Sequence, residues 1–207
     1  TFVAVMFFGW KKVSRGFHLA STWLTGIGAT ISAWWILVAN AWMQNPVGCE
    51  FNPDTMRNEM TSFWEVALSP MAVNKFTHTI TSAWVLGAAF CVGVSCWYLL
   101  KKRHVEFARK SLKIGATVGL VSSLLTAMVG DESAYLVAKH QPMKLAAMEA
   151  LYEGGKGEAL TAVALVNPFL QPDYMNATEP PMKIAVPNAL SFLATRDFNG
   201  YVPGIRN

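Results

Sequence analysis

His78 is the third residue of a run, Phe76 to Leu100, that contains no Asp, Glu, Lys or Arg. An ionisable group inside so apolar a run is costly to bury, which makes it a functional candidate by default. A neutral imidazole is a common axial ligand of haem iron, with its second ring nitrogen oriented by a hydrogen bond. Taken alone, the pattern also fits a histidine bonded to a neighbouring helix. Lys75 lies three residues earlier, on the same helical face and closer to the polar end of the run. A cation there meets either a haem propionate or interfacial water. His18 falls at a span end, and His104 and His140 fall in polar connections, so none is assigned to metal. Cys49, Cys91 and Cys96 form no CxxC pair and have no histidine at metal-ligand spacing; Cys91 and Cys96 read as small packing residues within a span.

The elements that must hold His78 are membrane helices. Of the 207 residues, 53% are hydrophobic and only 14% charged, against roughly a quarter charged in a soluble domain. Phe17 to Met43 is a second run without charge, and both runs exceed the roughly 20 residues that cross a bilayer as a helix. Ile114 to Gly130 is shorter, but the preceding SLK extends it to a full span, about 112–130, if Lys113 snorkels to the interface. The opening TFVAVMFFGW, about residues 1–10, reads as the end of a helix that begins outside the chain. The reading is therefore all-α: a polytopic transmembrane bundle segment, the end of one span plus three full spans at 17–43, 76–100 and 112–130. Gly26, Gly28, Ala29, Ser32 and Ala33 in one span, and Gly87, Ala88, Ala89, Gly93 and Ser95 in the next, form small-residue stripes suited to close helix packing.

The net charge of +4 is unevenly spread. Lys11, Lys12 and Arg15 precede the first full span, and Lys101, Lys102, Arg103, Arg109, Lys110 and Lys113 lie between the second and third. The loop 44–75 has only Arg57 and Lys75 against Glu50, Asp54, Glu59 and Glu65. By the positive-inside rule the basic loops are cytoplasmic, and 44–75 and 131–207 face outward. Membrane lipid accounts for the basic residues without nucleic acid. Within the outer loop, Asn52-Pro53-Asp54 followed by TMRNEMTSFWEVAL predicts an interfacial helix. MKLAAMEALYE at 143–153 predicts a short helix, and the repeated Pro and Gly beyond it predict irregular structure.

Several segments together resemble one family. SAWWILVAN and NAWMQNPVG between 32 and 48, KFTHT at 75–79, GDESAY at 130–135 and KLAAMEA at 144–150 are similar to subunit I of cytochrome bd quinol oxidases, in order and over nearly the whole chain. The resemblance implies that His78 is an axial ligand of the low-spin haem b. It implies that Lys144 and Glu149 belong to an extracytoplasmic quinol-binding loop within 131–207, that Asp131 lines the same site, and that Ser32 matches a serine on a polar proton path. A high-spin haem b and haem d are expected in the full subunit, as are the methionine, histidine and glutamates that serve the haems beyond His78. Expected partners are the remainder of the same subunit, a second large membrane subunit, small accessory subunits and quinol. The expected location is the bacterial cytoplasmic (inner) membrane.

The chemistry of these residues is compatible with that role. Oxidising a quinol releases two protons with two electrons, which calls for a proton acceptor near water and a redox centre within reach. Glu149 can accept the proton, and Lys144 can bias its pKa or orient a quinol oxygen. Their separation of five residues does not make a helical ion pair, and without the resemblance two solvated charges would explain them. The competing class is a non-enzymatic transporter or scaffold with His78 and Ser32 in a polar cavity. A transporter of inverted-repeat type would show broken helices, and the spans read as continuous.

Overall fold

The computed structural model describes residues 2–165 and 182–206. Its elements run α1 (Phe2–Phe8), α2 (Arg15–Gln44), β1 (Cys49–Asn52), β2 (Arg57–Met60), α3 (Phe63–Ala67), α4 (Pro70–Leu100), α5 (Val105–His140), α6 (Pro142–Met148), β3 (Gly155–Lys156), β4 (Leu160–Leu165), β5 (Met182–Val186), α7 (Ala189–Thr195) and β6 (Tyr201–Val202). Three stretches are long and apolar enough to cross a membrane: Arg15–Gln44, Phe63–Leu100 and Val105–His140. The mainly helical, membrane-spanning architecture is the one expected. The chain divides into two units, Thr1–Thr126 and Ala127–Asn207.

In the first unit the ends of the long helices are set by local chemistry. Ser14 caps α2 by accepting from Phe17 N, and Ser69 caps α4 by accepting from Ala72 N, with Pro70 in the first turn where its missing N–H costs nothing. Lys102 and His104 take left-handed conformations in the short turn that joins α4 to α5. Val38 and Ala41 of α2 pack with Val66, Met71 and Ala72, and Trp34 and Trp42 lie against this cluster. Trp34 also meets Phe76 edge-on at 4.9 Å. α4 and α5 approach through small residues: a Cβ on Gly115 would lie 3.3 Å from Cys91 Sγ, and one on Gly119 3.2 Å from Ala88 Cβ. Elsewhere the helices present apolar surface, Leu86 and Phe90 being 73% and 75% exposed.

Three local expectations are corrected. First, the outer loop does not form a helix from Asn52 onward. β1 and β2 pair as an antiparallel hairpin with Asn52 opposite Arg57, because Asn52 Oδ1 accepts from Asp54 N at 2.9 Å and closes a turn at the position read as a helix start. Met56 completes that turn with φ +54°. Hydrogen bonds from Asn52 and Thr55 hold the Glu59 carboxyl below its usual range. Helix survives only as the five-residue α3 behind the Ser62 cap.

Second, the helix at 143–153 stops at Met148. Ala150 is left-handed at φ +51°, Leu151 N donates to Ala146 O and Ala150 N to Ala147 O, the paired bonds of a Schellman ending. Third, the segment expected to be irregular contains β4 paired with β5, β3 paired with β6, and α7; residues 166–181, which that expectation also covered, lie outside the described residues. In this second unit Leu145, Leu190 and Val202 form a small core, so strands that carry little periodicity are fixed by tertiary contacts.

Asn52 precedes α4 and Lys102 follows it, so the two residues bracket one membrane crossing. With the native cysteines replaced, single cysteines at these positions in the full-length protein should react with a membrane-impermeant maleimide from opposite faces, Lys102 from the cytoplasmic one. Labelling of both from one face would refute the crossing.

Candidate functional site

His78 lies in the third turn of α4, eight residues beyond Pro70, and is half-buried. Its Nδ1 is buried and has no hydrogen-bond partner among the described residues. Three nearby hydroxyls bond to backbone rather than to the ring: Thr77 Oγ1 donates to Val73 O at 2.8 Å, and Thr81 Oγ1 and Ser82 Oγ donate to the His78 carbonyl at 3.1 and 2.7 Å. A buried, unsatisfied imidazole nitrogen calls for an explanation, and an external partner supplies one. Lys75 Nζ donates to Asn40 Oδ1 on α2 at 2.8 Å, which ties α4 to α2 beside the Trp34–Phe76 contact. Ser32 is exposed on α2. No group of three or more His, Cys, Asp or Glu side chains suited to a metal ion occurs among the described residues. A haem iron does not need one, because the porphyrin supplies four ligands and the protein only axial ones.

In the second unit, α5 continues as helix through Asp131, so this residue lies on a helix face rather than in a loop. Arg196, the left-handed cap residue of α7 at φ +62°, reaches it: Nη1 to Asp131 Oδ2 is 2.6 Å, and Nη2 to Glu132 Oε2 is 3.4 Å. The guanidinium also lies 5.1 Å over the Tyr135 ring. A planar cation held by two carboxylates and an aromatic face suits arginine and not lysine.

Glu149 is the cap residue at the end of α6, where the Schellman turn reverses the chain. It is half-buried and lines a cavity of about 510 Å³ with Tyr152, Glu153, Glu158, Lys183 and Arg206. Burial raises its carboxyl above the usual value, and a hydrogen bond from the Thr161 backbone opposes the shift. Arg206 Nη1 pairs with Glu153 Oε1 at 3.3 Å. Gly154 and Gly204 allow the two backbones behind this wall to cross, since a Cβ on Gly154 would fall 2.6 Å from Gly204 N. Among the described lining residues the cavity includes Glu149 but neither Lys144, which is exposed on α6, nor Asp131. The sequence reading missed Arg196, Glu158 and Arg206. Arg196 and its partner Asp131 are 65 positions apart, and no local pattern marks it.

Three helices able to span a bilayer make this a multi-pass membrane protein. The model of the family described as cytochrome bd terminal oxidase subunit I matches residues 1–207. The chain belongs to that family. It is 41% identical over 207 residues to the cytochrome bd-II ubiquinol oxidase subunit 1 of Escherichia coli (strain K12), covering 100% of this chain and 39% of that protein. It is 37% identical over 206 residues to the cytochrome bd ubiquinol oxidase subunit 1 of Bacillus subtilis (strain 168), covering 99% of this chain and 42% of that one. Among solved structures, the bd oxidase from Geobacillus thermodenitrificans matches with a TM-score of 0.77 at 24% identity, over 99% of this chain and 45% of that one. The chain thus spans about two fifths of the length of these curated relatives.

The raised Glu149 carboxyl has a stability consequence. The folded state holds this proton more tightly than the unfolded chain does, so the contribution is complete below about pH 4, the ordinary glutamate range, and is lost as pH rises through the raised value. Glu149→Gln in the full-length protein should therefore raise the melting temperature relative to the parent near neutral pH, with the difference shrinking towards pH 4. A difference independent of pH would contradict the buried-carboxyl assignment.

Proposed function

We propose that the whole protein of which this chain is a part is a quinol:oxygen oxidoreductase of the bacterial cytoplasmic (inner) membrane, oxidising quinol at the outer face and contributing to a proton gradient. The reading assigns it a second large membrane subunit, small accessory subunits and surrounding lipid as partners. The observation that carries it is His78: a membrane-helix imidazole whose buried Nδ1 has no hydrogen-bond partner among the described residues, in a chain of this family. In this reading His78 is an axial ligand of a low-spin haem b, and Lys75, which also bonds to Asn40, is the cation that meets a propionate. Haem b, when bound, supplies the one-electron redox centre between quinol and the oxygen-reducing haems, a high-spin haem b and haem d, held elsewhere in the subunit.

The remaining residues act on quinol and its protons. Glu149 has the placement of a general base: its carboxyl is partly withdrawn from water, burial raises it above the ordinary glutamate value, and it lines a cavity large enough for a ring. Lys144 acts as a positioning charge on α6. Asp131, fixed by Arg196, holds the wall on which the 131–207 region is built. Ser32 belongs, in the same reading, to a polar path for protons.

His78→Ala in the full-length oxidase should abolish the low-spin b-type signal of the reduced-minus-oxidised visible spectrum; an unchanged spectrum rules out the ligand assignment. Glu149→Ala should lower quinol oxidase turnover by about 10²-fold, the usual scale for losing a general base, with the haem spectrum intact. Lys144→Ala should chiefly raise the apparent KM for quinol. Turnover with an artificial electron donor that bypasses quinol should stay near the parent value in both. Full quinol turnover in Glu149→Ala, or a parallel fall in bypass activity, would return both residues to solvated surface charges.

A further inference from the structure

Besides Glu149, two other carboxylates line its cavity, and they are not equivalent. Glu153 is largely exposed and paired with Arg206. Glu158 is half-buried, and among the described residues no cation pairs with it. Its backbone is held on both sides by the start of α7: Glu158 N donates to Ser191 Oγ at 2.8 Å, and Glu158 O accepts from Leu190 N at 3.1 Å and Ser191 N at 3.3 Å. Ser191 is fully buried and its hydroxyl passes on to Gly200 O at 2.8 Å, so the loop carrying Glu158 is tied to two other segments. On its other side the Glu158 carboxylate lies against Gly155, whose missing side chain leaves it room. The remaining titratable groups on the cavity are Tyr152, Lys183 and Arg206.

This placement matters for proton arithmetic. A quinol becoming a quinone breaks two O–H bonds and gives up two protons and two electrons. In the reading above, the electrons leave for the haem, and Glu149 holds one proton at a time. The second proton cannot be taken until Glu149 has been discharged. We propose that Glu158 is the proton-relay residue of this cavity, receiving a proton from Glu149 and passing it to the outer water, so that Glu149 is ready for the second O–H bond. The inference rests on the quinol reading of the site and adds to it a positioned second acceptor that acts through Glu149. Glu153 is less suited, because it is largely exposed and already paired with Arg206.

The test uses the full-length oxidase complex with quinol, comparing Glu158→Gln and Glu158→Asp with Glu149→Ala. Glu158→Gln should lower kcat about tenfold, within the range for losing one proton-transfer group, with KM within about twofold of the parent. Its kcat–pH profile should also differ from the parent's, because one titratable group of the cavity is removed. Glu158→Asp, which keeps the carboxylate, should retain most of the turnover. Bypass activity and the haem spectrum should be unchanged. Parent-like kcat and pH profile in Glu158→Gln, or an Asp variant as slow as the Gln variant, overturns the relay while a defective Glu149→Ala leaves the quinol site standing. Full activity in Glu149→Ala overturns both.

Discussion

Inside hydrocarbon there is no water to satisfy a polar group, and the long helices of this chain are arranged around that constraint. The backbone meets it by helix formation. Most hydroxyls of the spans meet it by bonding back one turn: Thr25 to Ser21, Ser95 to Cys91, Ser122 to Val118 and Thr126 to Ser122. Each such residue is closed on its own helix and offers nothing to a neighbour. His78 cannot do this, since an imidazole does not reach the preceding carbonyl as a serine does, and its buried Nδ1 stays open. Ser21 Oγ and Trp42 Nε1 on α2 are likewise buried without a partner among the described residues, but of these three atoms only the imidazole nitrogen is a good ligand for haem iron.

Beyond residue 126 the constraint changes, and so does the way the chain is held. The core of the second unit is three buried side chains, Leu145, Leu190 and Val202, with partly buried neighbours. So small a core contributes little by burial alone. Arg196 on Asp131 and Glu132, Arg206 on Glu153 and over Tyr152, and Ser191 between Glu158 and Gly200 supply the remaining specificity. Exposed ion pairs of this kind contribute modestly to stability. Their larger effect here is geometric, since they fix which backbone segments face the cavity.

Two of the spans were legible in the sequence because a charge-free run of 25 residues or more has few alternatives to a membrane helix, and the third because the shorter run Ile114 to Gly130 reaches full length once Lys113 is allowed to snorkel. His78 was legible because it interrupts such a run. The outer hairpin was not, because Pro53 suits both the first turn of a helix and a tight turn, and the deciding bond from Asn52 is a matter of side-chain geometry. Ala150 hid the end of α6, because the left-handed position that usually announces itself with glycine is taken here by alanine. Gly115 and Gly119 likewise escaped notice, although a Cβ at Gly26, Gly28, Gly87 or Gly93 of the expected stripes would meet nothing within 4 Å in this chain. A stripe of small residues marks a surface that can be approached and leaves open which neighbour approaches it.

The placement of Glu149 follows from these local events taken together. Its position at the end of α6 sets it where helix carbonyls lack partners and a negative charge is least welcome. The Schellman turn sends Leu151 towards the small core, and the chain that follows closes over the carboxyl as the cavity wall. Burial therefore dominates, and the single opposing hydrogen bond from Thr161 does not restore the ordinary value. A carboxylate on an uninterrupted surface helix, as the KLAAMEALYE pattern suggests, would be fully hydrated and weakly basic. The alanine that ends the helix one residue later is what turns Glu149 from a solvated charge into a half-buried carboxyl that holds its proton more tightly than a free glutamate does.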